Sequence, residues 1–199
     1  MIKTALFDFG GVLAEEGFRE GLMFIAEKNG LDPVSFFHTA DELIYTSGYL
    51  TGHADESAFL NDLREKTDIR EGNDEIKDEI LKRFVIRPEM LLIVDSIRFK
   101  GIITAILSDQ TDWLDLLDKQ FHFYKRFDHI FNSYRIHKSK RESAIFRDTC
   151  SALEIGPEEA LFIDDNERNI KRASGEGLKT IYFTDMDAFQ KEIEKYIRL

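Results

Sequence analysis

IKTALFDFGGVL, residues 2–13, is the stretch whose reading decides the fold. Thr4, Ala5, Leu6 and Phe7 form a short apolar run with β character. Bounded by turn signals, such a run reads as a strand buried on both faces. It ends on a charge, Asp8, and then on Gly10 and Gly11. A carboxylate at the carboxyl end of a buried parallel strand points into the crevice where open α/β sheets bind ligands. The two glycines allow a sharp turn and a close ligand approach. The competing reading makes Asp8 the start of an ordinary β-turn before a helix.

Outward from this strand, the pattern turns helical. Phe18, Leu22, Ile25 and Ala26 recur at helical spacing up to a stop at Asn29-Gly30. Asp32-Pro33 starts a second helix, with Phe36, Phe37, Ala40, Leu43 and Ile44 inward, ending near Gly48. Tyr49–Gly52 is a connector, Ala54–Lys66 and Glu75–Phe84 are further helices, and Pro88 opens another. No strand is predicted between Leu13 and about Arg98, so this block reads as an inserted helical bundle. Its many acids, among them Glu56 and Glu71, read as a solvated face. His38, Tyr45 and His53 are candidates to face a ligand or, alternatively, plain surface and core positions.

From Gly101 strands and helices alternate. Ile102–Leu107 ends at Ser108-Asp109, and His129–Phe131 ends at Asn132-Ser133. Ala160–Ile163 ends at Asp164-Asp165, and Lys179–Phe183 is a fifth strand. Helices are predicted over Trp113–Phe123, Arg141–Leu153, Ile170–Ala173 and Phe189–Ile197. Repeated strand–helix units predict an α/β fold, a Rossmann-like parallel sheet flanked by helices. Residues 1–14 and 98–199 form its core, and residues 15–97 a helical cap inserted after the first strand.

The bulk properties fit a globular chain of this size: 199 residues, 43% hydrophobic and 33% charged. No apolar run approaches the roughly 18–20 residues of a membrane span. The N-terminal apolar run reads as a strand, not as a signal peptide. The one cysteine, Cys150, excludes an internal disulfide and suits a reducing cytosol, so a cytoplasmic location and a buried thiol are expected. A net charge of −11 disfavours nucleic acid and anionic membranes as partners. An acidic protein that handles an anion must bring local positive charge to it.

In a parallel sheet, the strand ends at Asp8, Ser108 and Asp164-Asp165 share one edge, and Lys138 and Lys140 follow the third strand. Three carboxylates brought together need a cation, and all-oxygen ligation points to Mg²⁺. A metal, a lysine and a hydroxyl converging on one point describe a cradle for a phosphoryl group.

FDFGGVL (7–13), ILSDQ (106–110), KSKRESAIF (138–146) and FIDDNERNI (162–170) together resemble the haloacid dehalogenase-like hydrolase superfamily over essentially the whole length. GYLTGHADESAFLNDL (48–63) resembles the subgroup of small sugar-phosphate phosphatases and epoxide-hydrolase N-terminal phosphatase domains. The resemblance implies that Asp8 is a nucleophile forming an aspartyl-phosphate. It implies that Ser108, with the Asp109 backbone N–H, binds a phosphoryl oxygen, as do the turns at Gly10 and Gly11. Lys140 is the implied phosphate-neutralising lysine, seven residues after Ser133 and six before Phe146, with Lys138 as rival. Asp8, the Gly10 carbonyl, Asp164 and Asp165 would hold Mg²⁺, Asp165 most directly, with Asn166 and Asn169 bracing that loop.

One departure matters. Phosphatases of the family usually carry a second aspartate two residues after the nucleophile, and this chain has Gly10. General acid–base help is worth about 10²–10⁴ in rate. A substrate group, a metal-bound water or a cap residue such as His53 would have to replace it. The leading expectation is a Mg²⁺-dependent phosphatase of a small phosphorylated metabolite, such as a sugar phosphate, working as monomer or homodimer. The alternatives are a noncatalytic binding relative, a metal-independent dehalogenase and a phosphomutase.

Overall fold

The structure, a computed structural model, describes residues 1–198. Five strands form one sheet: β1 (Thr4–Phe7), β2 (Ile103–Ser108), β3 (His129–Asn132), β4 (Ala160–Asp164) and β5 (Lys179–Tyr182). Their order is β3-β2-β1-β4-β5 and every pairing is parallel. The α/β expectation therefore holds, with β1 at the centre. The chain steps outward from β1 to β2 and β3, then returns to the other side of β1 as β4. Such a switch point opens a crevice at the carboxyl ends of the strands. Phe7 pairs with Ile106 on one side and Ile163 on the other, which puts Asp8 level with Asp164 and one step short of Ser108.

Alternation along β1 divides the core. Leu6 packs on one face with Ala105, Leu107 and Phe162, under Ile145, Phe146 and Cys150 of α8 (Ala144–Ala152). Ala5 and Phe7 pack on the other face with Ile106 and Ile163, against Met90 and Val94 of α5 (Pro88–Phe99). Every residue of β1 is fully buried, so the strand needs apolar side chains on both faces, as its sequence supplies. Cys150 is buried and unpaired, and burial pushes its thiol up to about 11.

Between β1 and α5 lie α1 (Gly17–Lys28), α2 (Pro33–Thr46), α3 (Glu56–Thr67) and α4 (Asn73–Leu81). α1 packs on α2 and α4, and α2 on α3. Asp32 caps α2 by accepting the Ser35 N–H at 2.8 Å, and Asp55 caps α3 through the Ala58 N–H at 2.8 Å. Gly21 sets how closely α1 meets α4, because a Cβ there would lie 2.6 Å from the Ile80 Cα.

Several boundaries differ from the sequence pattern. α4 starts at Asn73 rather than Glu75, because Glu75 reaches back to accept the Gly72 N–H at 2.8 Å. The last helix, α10 (Met186–Ile193), starts earlier than Phe189, because Asp185 caps it through the Ala188 N–H. α8 omits the Arg141–Ser143 segment, whose backbone turns around Ser139. Not all acids of the inserted helices form a solvated face: Glu71 is buried against Asn29 and Lys28, and Glu56 accepts the Trp113 indole N–H at 2.6 Å. The remaining helices are α6 (Trp113–Phe121), α7 (Ser133–Ile136) and α9 (Glu167–Gly175). Among the described residues no helix is long and apolar enough to cross a membrane.

Candidate active site

Asp8 continues β1 by one residue, its N–H donating to the Ile163 carbonyl at 2.9 Å. That backbone bond holds the residue at the strand end, where its side chain lines the crevice. Its Oδ1 accepts the Phe9 N–H and the Ser108 hydroxyl, each at 2.7 Å. Its Oδ2 lies 2.8 Å from Lys140 Nζ. Lys140 Nζ also donates to Asp164 Oδ2 at 2.7 Å and is 1% exposed. Burial alone pulls that ammonium down, but Asp164, Asp8 and Asp109 more than offset it and hold the lysine above its ordinary pKa.

Asp164 is saturated. It accepts the Asn166 N–H at 2.7 Å and is bridged by the Asn169 amide at 3.2 and 3.3 Å, besides Lys140. Asn169 and the Asn166 backbone thus brace the acidic loop as expected, and Asn166 also caps α9 through the Arg168 N–H. Asp165 is different: it turns toward Gly11. A Cβ at Gly11, where φ is +80°, would lie 2.0 Å from Asp165 Oδ2, so this approach requires glycine.

One oxygen from each of Asp8, Asp164 and Asp165 lies within 4.8 Å of the others. Lys140 is the ammonium among them. Burial and then the Asp8 charge push Asp165 up to about 6, and burial pushes Asp164 up as well. Raised carboxylates in a cluster are short of positive charge, and an all-oxygen donor set suits a hard divalent cation such as Mg²⁺. The residues present therefore fit that metal.

The family model for haloacid dehalogenase-like hydrolases matches residues 2–175. The chain belongs to that family. A HAD family enzyme of Bacteroides thetaiotaomicron, solved with magnesium and inorganic phosphate, superposes with a TM-score of 0.72. It is 24% identical, over 92% of this chain and 95% of that one. The L-2-haloacid dehalogenase of Xanthobacter autotrophicus, solved with chloropropionic acid covalently bound, gives a TM-score of 0.68 at 16% identity, over 100% and 85% of the chains. These two likenesses concern the fold. By sequence, the bifunctional epoxide hydrolase 2 of Rattus norvegicus is 30% identical over 120 residues, which are 57% of this chain and 21% of the rat protein. The chain thus spans only a fraction of that relative's length.

In this haloacid dehalogenase-like chain, Lys140 rather than Lys138 reaches Asp8. Lys138 is turned away and pairs with Asp148. The Asp109 side chain accepts the Lys140 N–H at 2.8 Å and the Tyr45 hydroxyl at 2.9 Å, so it joins α2 to the lysine loop. A cavity of about 500 Å³ opens over Asp8, lined by Ser108, Asp109, Lys140 and Asp165 below and by Phe37, His38 and Tyr45 of α2. His53 does not line this cavity: it bonds Thr51 at 3.0 Å, and its ring lies 5.2 Å from that of His137, tilted by 58°.

Two side chains at the site have no individual role assigned by the sequence. Arg87, just before α5, donates to the carbonyls of Gly11, Val12 and Ala14 at 2.6, 3.0 and 2.9 Å and pairs with Glu15. It clamps the loop that follows the nucleophile. Glu16 occupies the space beside Gly10, with Oε2 3.0 Å from where a Gly10 Cβ would sit. Burial, then Asp165 and Asp8, push its carboxyl up to about 8. Neither residue sits in a recognisable motif, and a lone Arg or Glu near a loop carries no signal of its own.

Proposed function

We propose that this chain is a Mg²⁺-dependent phosphatase acting on a small phosphorylated metabolite. The observation that carries the reading is the meeting of Asp8, Ser108, Lys140 and Asp165 around one open cavity. Asp8 is the nucleophile: a carboxylate oxygen attacks phosphorus, the ester P–O bond breaks, the alcohol leaves with a proton taken from solvent, and an aspartyl-phosphate forms. Ser108 donates to Asp8 in the resting site and is placed to donate to a phosphoryl oxygen instead. The Lys140 ammonium offsets charge on the nucleophile and on the incoming phosphoryl group. Water then attacks phosphorus, the acyl-phosphate bond breaks, and phosphate leaves with the Asp8 carboxylate restored.

Asp8, the Gly10 carbonyl and Asp165 are the residues that would hold Mg²⁺. Asp164 spends both oxygens on Lys140, Asn166 and Asn169, and so positions the lysine and the loop. When bound, the metal neutralises phosphoryl charge and orients the group for in-line attack. With glycine at position 10, esters whose leaving oxygen needs little protonation, such as anomeric phosphates, are favoured. The fold relatives solved with magnesium and phosphate, and the sequence relatives among epoxide hydrolases, support this reading.

We also place the start of the returning core at Pro88 rather than at residue 98, because α5 packs directly on β2. Phosphate release from a metabolite panel, with and without Mg²⁺, tests the function. Turnover that needs Mg²⁺ and vanishes in Asp8→Asn is expected. No turnover of any phosphoester, or chloride release from haloacids in EDTA, would overturn it.

A further inference from the structure

Arginines in this chain are mostly bound to carboxylates. Arg83 pairs with Glu79, Arg87 with Glu15, Arg98 with Asp128, and Arg141 with Asp41 and Glu42. Arg64 and Arg172 bond amide oxygens instead, and of the arginines with no such partner, Arg19 and Arg168 stand at the site. Both line the cavity that holds Asp8 and Lys140. Among the described residues neither guanidinium has a hydrogen-bond or ion-pair partner. Arg19 rests on the face of Phe37, 5.5 Å from the ring centroid. The nearby acids are engaged elsewhere: Asp41 with Arg141 at 3.0 Å and Glu167 with Lys171 at 2.8 Å. Burial pushes the Asp41 carboxyl up while Arg141, His38 and Arg168 pull it back, which sets Arg168 of α9 beside α2. In a protein of net charge −11, two guanidiniums without a carboxylate partner at one cavity are cations left uncommitted among acids. Unlike Lys140, neither pairs with Asp8 or Asp164.

We propose that Arg19 and Arg168 form a second anion-binding end of this cavity, and that the substrate is a small phosphoester bearing a further anionic group, carboxylate or phosphate, away from the ester. This rests on the phosphatase reading of Asp8. A guanidinium presents a planar fork that matches either oxyanion. Both arginines are exposed at the cavity mouth, so an incoming anion can reach them, and Phe37 backs the Arg19 guanidinium. The phosphoryl group sits over Asp8, and the tail reaches between α1 and α9.

A three-carbon series tests this: propyl phosphate, 3-phosphooxypropanoate and propane-1,3-diyl bisphosphate. In the wild-type enzyme with Mg²⁺, kcat/KM for the two doubly anionic esters should exceed that for propyl phosphate by about ten-fold, the equivalent of one well-placed charged contact. The double variant Arg19→Ala, Arg168→Ala should bring that ratio down to about two-fold, and the Lys pair should restore part of it. Whichever ester loses more identifies carboxylate or phosphate as the tail. A wild-type ratio near one, or a ratio unmoved by the double variant, overturns the proposal. Calorimetric binding of the same esters to the Asp8→Asn protein separates the two readings. If nothing is hydrolysed but the doubly anionic esters still bind more tightly, the phosphatase reading falls and the anion site stands. If all three are hydrolysed and bound alike, the anion site falls alone.

Discussion

The two sides of the cavity are built differently. On the strand-end side, Asp8, Ser108, Lys140 and Asp164 are all buried, and each bonds at least one other member of the set. On the cap side, Tyr45 makes one hydrogen bond to Asp109, and half-exposed Arg141 stacks on the Tyr45 ring while pairing with Asp41 and Glu42. Buried charge holds one geometry or fails, because an unpaired partner is costly. Exposed pairs are weak and can open. The strand ends are thus held in one geometry, whereas α2 meets them through fewer and more exposed contacts.

The largest effect should come from breaking the buried set. Lys140→Met leaves Asp8 and Asp164 facing each other without their shared cation, and should cost about 3–5 kcal/mol of stability as well as activity. Urea denaturation in EDTA measures it. Adding Asp164→Asn to that variant should recover part of the loss, because the remaining pair repels less. A single-variant cost below about 1 kcal/mol would mean that the network is not the rigid side of the site.

Next comes Gly11→Ala. Its positive φ costs about 1–3 kcal/mol for a residue with a Cβ. The methyl must also displace Asp165, whose carboxylate lies 2.0 Å from its place. The variant should fold with a lowered Tm and lose the Tm rise that Mg²⁺ gives the wild type. A wild-type Mg²⁺ response in Gly11→Ala would remove Asp165 from the metal site.

This contrast also marks what could be read in the sequence. Asp8, Ser108 and Asp164 were legible because each ends an apolar run, and parallel pairing then brings the run ends to one edge. Lys140 was named through its spacing in a resembling motif, and only the geometry turns Lys138 away. Arg87 was not legible: it serves carbonyls more than seventy positions earlier in the chain. No local period encodes such a reach. Glu16 was hidden for a similar reason, since its raised pKa comes from burial and from Asp165, which the fold alone brings near. Apolar spacing does not mark the helix starts at Asn73 and Met186, because side-chain bonds from Glu75 and Asp185 set them.

On the cap side the effects should be smaller. Tyr45→Phe deletes the hydroxyl that bonds Asp109 and should cost about 1 kcal/mol. Arg141→Ala removes exposed pairs worth about 0–1 kcal/mol together with the stacking on Tyr45. Both should raise KM more than they lower kcat, as expected if α2 shapes entry rather than chemistry. A kcat collapse at unchanged KM in Tyr45→Phe would instead tie Asp109 and the lysine loop to the chemical step.

The smallest effect is a slope with pH, and its sign is informative. Without metal, Asp165 titrates near 6 and Glu16 near 8, both above ordinary carboxylates. Each group holds its proton more tightly folded than unfolded. Its contribution is therefore fully present below the ordinary carboxylate pKa and is lost as pH rises through the folded value. Carboxylates held low, such as Glu71 and Asp128, act in the opposite sense, but they complete their contribution near the ordinary carboxylate pKa, below this window. In EDTA, Tm should thus fall between pH 5 and pH 9. Mg²⁺ requires ionised ligands, so its Tm gain should be larger at pH 8 than at pH 5. Asp165→Asn should flatten the lower part of the slope and abolish the Mg²⁺ gain. Glu16→Gln should flatten the slope from pH 5 to about pH 8, beyond the point at which the Asp165 contribution has ended. If metal-free Tm instead rose from pH 5 to pH 9, the carboxylates around Asp8 would be better compensated by Lys140 than the three-acid cluster implies, and the case for a divalent cation among them would weaken with it.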